Sequence, residues 1–313
     1  MTIAELVRSN EVGAYFEGRP ADSPRAEPRT HGTRPGWLTL AAALFATIAI
    51  GAAWVLAFGT MVSGIEQRRS QAVLHDRWRS AIANDVAPEG NRRIGAGTPV
   101  AALRFPGDNG DGAIVVEGTT SGQLRTAPGH RRDTVLPGEE GTSVLMGRAS
   151  WFGGPFARVR SLRRGDVIRI TTGEGSFRFK VEGVRRDGDP LAAPVVAGEG
   201  RLTLMTSERA PKSVGTFAVR TVFVDAQLIG DPAPPSVRRP TSLVAAETTL
   251  RGDARGLIPA TLWLEVLLVV LGGLAWVVTR WKLAPTVIVG VPIVFAVLWA
   301  GTDAVAILLP NLV

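Results

Sequence analysis

The chain has no cysteine among its 313 residues. That excludes disulfides, thiolate metal sites and a cysteine nucleophile. Histidine is scarce as well: His31, His75 and His130 are the three present, so an imidazole base has few places to stand. Tyr15 is the single tyrosine. With no recognisable nucleic-acid motif, no nucleic-acid partner is expected. No cluster of ligand-type side chains suggests a metal, and no cofactor motif is evident. Lysine is nearly missing, with Lys180, Lys212 and Lys282 the three among 35 basic residues, so arginine carries the net charge of +7. A basic surface beside a membrane attracts anionic lipid or cell-wall polymer, although a solvated basic face reads the same way.

Hydrophobic residues make up 45% of the chain, and they concentrate in three runs. Residues 37–58 carry no charge and are long enough to span a bilayer. They start too far from Met1, and run too long, for the apolar core of a cleaved signal. Residues 258–279 form a second expected span and 286–309 a third, with Glu265 and Asp303 reading as interfacial residues near the outer leaflet. The short loop between them, at 280–285, holds Arg280 and Lys282. The positive-inside rule places that loop in the cytoplasm. Arg25, Arg29 and Arg34 precede the first span and agree with a cytoplasmic N-terminus. The expected organisation is therefore a polar tail at 1–35 and a transmembrane helix at 36–59. A helical stalk and linker follow at 60–97, then an extracytoplasmic domain at 98–226. A proline-rich linker at 227–257 leads to the last two spans, which leave residues 310–313 outside the membrane on the far side.

The domain at 98–226 reads as short strands between glycine and proline turns, the pattern of a β-barrel. Strands are expected at 100–105, 113–117, 143–146, 167–171, 176–184, 202–206 and 217–225, and short helices at 120–124 and 155–162. In 61–84, Val62, Ile65, Val73, Leu74, Trp78 and Ile82 recur at nearly helical spacing, which predicts a helical stalk.

Several segments in this domain occur in a telling order: VAALRFP at 100–106, VVEGT at 115–119, LRTAPGH at 124–130 and TVLPGEEG at 134–141. They continue with SVLMG at 143–147, PFARVRSLRRGDVI at 155–168, LTLMT at 202–206 and TFAVRT at 216–221. This ordered set resembles the sortases, cysteine transpeptidases of Gram-positive surfaces, and in particular the actinobacterial, class E-like kind. The resemblance implies a mainly β fold: a sortase-like closed β-barrel with short helices, here joined to a stalk and three transmembrane helices.

The departures fall where the family keeps its chemistry. Arg148 stands in the slot of the catalytic histidine, Ser207 in that of the cysteine, and Thr216 in that of the arginine, with Arg220 four residues on. A guanidinium stays protonated and cannot act as a base, and a serine needs one. His130 matches a non-catalytic histidine of the family and reads as structural. Glu208 adjoins Ser207 but should point to the opposite face, and Lys212 is a remote candidate base. These residues imply a sortase-like pseudoenzyme that binds a surface-protein segment, a cell-wall component or a membrane partner outside the cell. A serine-dependent transpeptidase or hydrolase using Ser207 remains an alternative, as does a structural subunit of an envelope complex. The candidate groove residues are Arg148, Trp151, Ser207, Glu208, Arg220 and His130. Arg148 would bind an anion there or pair internally with Glu208 or Asp187, Trp151 and Phe152 would line the rim or pack, and the segment 187–199 would cover the groove.

Overall fold

Alternation of apolar and polar residues along short runs commits each strand to one buried face, and closing the sheet removes its edges. In the computed structural model, whose described residues are 36–89, 93–108, 110, 112–209, 219–234, 242–280 and 283–312, eight strands form such a closed barrel. In chain order they are β1 Pro99–Arg104, β2 Ala113–Glu117, β3 Gly129–His130, β4 Gly141–Met146, β5 Val167–Thr172, β6 Gly175–Arg186, β7 Gly200–Arg209 and β8 Val219–Ile229. Around the barrel the order is β1-β2-β3-β4-β7-β8-β6-β5. The β2–β3 and β4–β7 pairs are parallel and the rest antiparallel. Strand β3 was not expected, since two residues are too few to show alternation. Of the two short helices expected, 120–124 becomes α3, Ser121–Thr126, whereas 155–162 yields a 3₁₀ turn at Ala157–Ser161.

The barrel interior is aliphatic and aromatic, with Leu103, Val115, Leu145, Phe156, Ile168, Ile170, Phe179, Leu202, Leu204 and Val224 all buried. A second apolar cluster lies on the other face of β4 and β7. There Val144, Met146 and Met205 meet Leu124 of α3 and Leu312. β4 and β7 are therefore covered on both faces, which explains the near-continuous burial of their residues.

Helix α1, Gly36–Ala57, continues through a π-turn at Phe58–Val62 into α2, Ser63–Ala83. The expected stalk does not stand clear of the domain. Leu74 and Trp78 of α2 pack on Ala102, Ile114, Val116 and Ala127 of the barrel wall. Gln71 accepts from the Ile114 amide at 2.8 Å and donates to the Ile114 carbonyl at 3.2 Å. Two further helices, α4 Leu257–Arg280 and α5 Leu283–Leu308, form an antiparallel hairpin. These two are long and apolar enough to cross a membrane. The span expected at 36–59 is corrected: within α1 the stretch that qualifies as apolar among the described residues is Phe45–Ala57, too short to cross alone. The expected tail at 1–35 lies outside the described residues.

Candidate functional site

Arg148 follows directly on β4, and Ser207 lies near the end of β7. The parallel register that pairs Met146 with Met205 brings the two side by side. The Gly147 amide donates to the Met205 carbonyl at 3.0 Å, and Thr206 Oγ1 donates to the Gly147 carbonyl at 2.9 Å. Alternation along β7 sends Leu202 and Leu204 into the barrel, and Met205 and Ser207 to the opposite face.

Arg148 is fully buried. Its Nη2 donates to Ser121 Oγ at 2.7 Å and to the Ser121 carbonyl at 3.3 Å, and its Nη1 to the Pro310 carbonyl at 3.3 Å. The guanidinium also lies over the Phe152 ring, 4.8 Å from its centroid. Phe152 has φ of 51°, a left-handed conformation that is costly for a residue with a Cβ. Its amide is held by Ser63 Oγ at 3.0 Å, which keeps the ring in place. Burial, with a smaller push from the charge of Arg125, lowers the Arg148 guanidinium well below its ordinary range, to about 9. It remains a cation at neutral pH and cannot take a proton. The expected internal partners are not the ones found: Arg148 reaches neither Glu208 nor Asp187 but Ser121 and Pro310.

Ser121 is set by the start of α3. Thr120 is the N-cap, and it exchanges hydrogen bonds with Gln123 in a capping box. This fixes the first turn and aims Ser121 Oγ at the end of α5, where it donates to the Ala306 carbonyl at 3.0 Å and the Leu309 carbonyl at 2.8 Å. The last carbonyls of a helix have no partner within it, and a cation near them is favourable. Arg148 and Ser121 supply both a charge and donors there.

Ser207 Oγ donates to the Leu312 carbonyl at 2.6 Å, and the Ala149 amide donates to the same oxygen at 3.3 Å. Asn311 is buried beside them. Its Nδ2 donates to the carbonyls of Thr119 and Thr248, both at 2.9 Å, and its amide to the Arg251 carbonyl at 3.1 Å. The stretch expected as a loose linker thus docks in part on the domain. Glu247 within it is buried and accepts from Arg132 at 2.7 and 2.8 Å. The expected cover, 187–199, starts near the site, where Asp187 Oδ2 accepts from the amide of Thr221, the strand partner of Ser207, at 2.7 Å, and its later part is held by other contacts. Arg201 donates to the Ala193 carbonyl there, and the Gly198 amide donates to Glu140 Oε1 at 2.7 Å.

The remaining candidates separate into three places. His130 is buried with Nδ1 2.8 Å from Glu117 Oε2 and Nε2 2.8 Å from the Val135 carbonyl, so both ring nitrogens are engaged away from Ser207. Glu208 accepts from Arg186 Nε at 2.7 Å and from Arg220 Nε at 2.6 Å. Burial pushes Glu208 up, but the hydrogen bonds and charges of the two arginines outweigh it and hold the carboxyl below its usual range. Trp151 packs in a cluster with Phe58, Phe152 and Ala306. Thr216 and Lys212 lie outside the described residues. Reading along the chain missed Ser121, the Ala149 amide, Asn311 and Leu312. Asn311 was the one visible hint, a polar residue following an apolar run.

Comparison with known proteins gives one consistent answer. Residues 109–228 match the family model described as a sortase domain. Sortase D of Bacillus subtilis (strain 168) is 33% identical over 67 residues, which are 21% of this chain and 32% of that protein. The chain thus spans about a third of the length of that curated relative. Among solved structures, a sortase D5 transpeptidase of Clostridium perfringens is 19% identical, covering 52% of this chain and 98% of its own, with a TM-score of 0.39. Sortase E from Streptomyces avermitilis is 24% identical, covering 45% of this chain and 93% of its own, with a TM-score of 0.34.

Proposed function

We propose that this chain, a member of the sortase family through its domain at 109–228, is a membrane-held pseudoenzyme that binds and does not transfer. Its partner on this reading is a surface-protein segment, a cell-wall component or another membrane protein, met outside the cell. The observation that carries the reading is Arg148. In the slot where the resemblance puts a catalytic histidine, a buried guanidinium spends its donors on Ser121 and Pro310. Ser207, in the cysteine slot, uses its proton as a donor to a carbonyl oxygen. Attack would need that proton to leave for a base, and the residues beside it are donors.

The membrane arrangement proposed with it has two spans, α4 and α5, joined on the cytoplasmic side, and an extracytoplasmic barrel. Its support is that α4 begins and α5 ends beside the barrel: the Asp253 amide donates to the Ile307 carbonyl at 2.9 Å, and Asp303 pairs with Arg125 of α3. The basic residue Arg280 closes α4 at its other end.

The test is intact-mass spectrometry of the full chain in detergent, incubated with sorting-signal peptides and amine acceptors, with Ser207→Ala as control. Peptide binding without adduct or product is the expected result. An acyl-ester on Ser207, absent in the control, would establish the serine-dependent alternative instead.

A further inference from the structure

We infer that residues 309–312 are the resident ligand of this site: a non-helical peptide segment of the chain itself, held in cis, that keeps the site closed to other peptides. The inference deepens the binding reading above, and rests on it only in treating the site as one that binds peptide.

Four consecutive residues are held one by one. The Leu309 carbonyl accepts from Ser121 Oγ at 2.8 Å, and the Pro310 carbonyl from Arg148 Nη1 at 3.3 Å. Asn311 donates through its side chain to Thr119 and Thr248, and through its amide to Arg251. The Leu312 carbonyl accepts from Ser207 Oγ and the Ala149 amide, while its side chain is buried among Leu124, Val144, Met146 and Met205. The contacts come from five separate stretches: the loop before α3, α3 itself, the turn after β4, β7 and the docked part of the 242–256 segment. A helix end resting on a domain needs only a few such partners. Here backbone carbonyls are read at three positions, an amide side chain at one and an apolar side chain at another.

The chemistry defines the ligand. Three carbonyl-reading positions suit a backbone that has left the helix, because a continuing helix would use those carbonyls itself. Proline at 310 stops the helix and presents its carbonyl without needing an amide partner. The Asn311 position offers two carbonyl acceptors, from Thr119 and Thr248, so it selects a neutral donor and rejects a carboxylate. The Leu312 position is an apolar pocket floored by two methionines, side chains that adapt to varied apolar shapes. The ligand class is therefore a peptide in a non-helical, turned conformation, of the form apolar–proline–amide–apolar. The segment that follows α5 has that form and is attached within reach, so it competes at high effective concentration.

The experiment uses the full chain in detergent micelles and a fluorescent synthetic peptide with the sequence of residues 307–312. Two readouts are taken: peptide anisotropy and amide hydrogen exchange. Asn311→Asp places a carboxylate against two carbonyls, and Leu312→Asp a charge in the apolar pocket, while both leave the barrel interior untouched. Each variant should bind the added peptide roughly tenfold more tightly than the wild-type chain, and amides at 119–124 and 147–150 should exchange roughly tenfold faster without peptide. Unchanged exchange across β5 and β6 identifies a variant that remains folded. Adding Arg148→Met to Asn311→Asp should remove the gained peptide binding. Equal peptide binding in wild type and both folded variants, or exchange at 147–150 unaffected by Asn311→Asp, would overturn the inference. An acyl-ester on Ser207 in the opened variants would overturn the binding-only function while supporting the closed site.

Discussion

Arg148→Met tests the energetic argument at the centre of the site. Lowering the guanidinium well below its ordinary range, to about 9, corresponds to roughly 5 kcal/mol of cost for keeping the charge buried at pH 7. Against this stand, among the described residues, the hydrogen bonds donated to Ser121 and Pro310, worth about 1.5–3 kcal/mol each for a charged donor. The Phe152 ring contact adds about 1–2 kcal/mol. The favourable side is larger, so methionine, which fills similar space without donors, should destabilise the chain by about 1–4 kcal/mol. A net gain would be the usual result for a poorly compensated buried ion.

The same substitution carries a pH signature. Burial brings the folded-state value of Arg148 down to about 9, well below the value it has in the unfolded chain. Between those values the unfolded state binds more protons, so stability rises with pH. From pH 8 to 10.5 the wild type should gain about 2 kcal/mol relative to Arg148→Met, because roughly 1.5 of those pH units lie above the folded value. Thermal unfolding of the full chain in detergent, followed by tryptophan fluorescence, measures both effects. Taking the difference between the two proteins cancels the shared titration of Tyr15 and the lysines. A methionine variant as stable as wild type at pH 7, with a flat difference up to pH 10.5, would refute the reasoning.

Three further outcomes follow from the geometry. Ser207→Cys supplies the nucleophile that the resemblance to sortases expects there, yet with Arg148 beside it and residue 312 against it, intact mass should show no acyl-thioester from sorting-signal peptides; an adduct would contradict the binding-only reading. Gly59→Ala would set its Cβ 2.6 Å from the Trp151 ring and should cost about 1–3 kcal/mol by overpacking; a double-mutant cycle with Trp151→Ala should recover most of that loss, and no recovery would place the strain elsewhere. Glu208 is held below the usual carboxylate range, so its contribution is full above the ordinary value of about 4.3 and is lost as pH falls through the lower folded value. Glu208→Gln should therefore be less stable than wild type at pH 6 and closer to it at pH 3, as read from unfolding midpoints.

The barrel was largely legible from the sequence because alternation is a local signal. The run at 176–181 alternates cleanly, and β6 covers it. Leu74 and Trp78, one helical turn apart, are the stalk residues that pack on the wall; their spacing predicted a helix but not what covers it. Strand β3 is two residues long and is defined by its neighbours, so no periodicity announces it. The partners of the site lie furthest from any local rule. Ser207 meets a carbonyl 105 residues away, and Arg148 one 162 residues away. Their residue types exclude a base, but only the parallel register of β4 with β7 and the return of the chain after α5 decide what those donors hold.

If Arg148 and Ser207 stand where the resemblance puts a histidine and a cysteine, as the proposed reading has it, the two make more sense together than singly. A histidine and a cysteine share a proton between them, and each must be able to give it up. Arginine and serine at neutral pH are fixed donors, and a site lined by fixed donors is suited to carbonyl oxygens that do not react. The described structure supplies such oxygens at Leu309, Pro310 and Leu312, and they come from the end of a helix whose carbonyls would otherwise lack partners. Reverting Ser207 alone would then leave Arg148 holding the segment in place. Reverting Arg148 to histidine alone would loosen the segment without supplying a thiol. Regaining chemistry on this scaffold requires both changes and the release of residues 309–312, so no single reversion at 148 or 207 is expected to restore it.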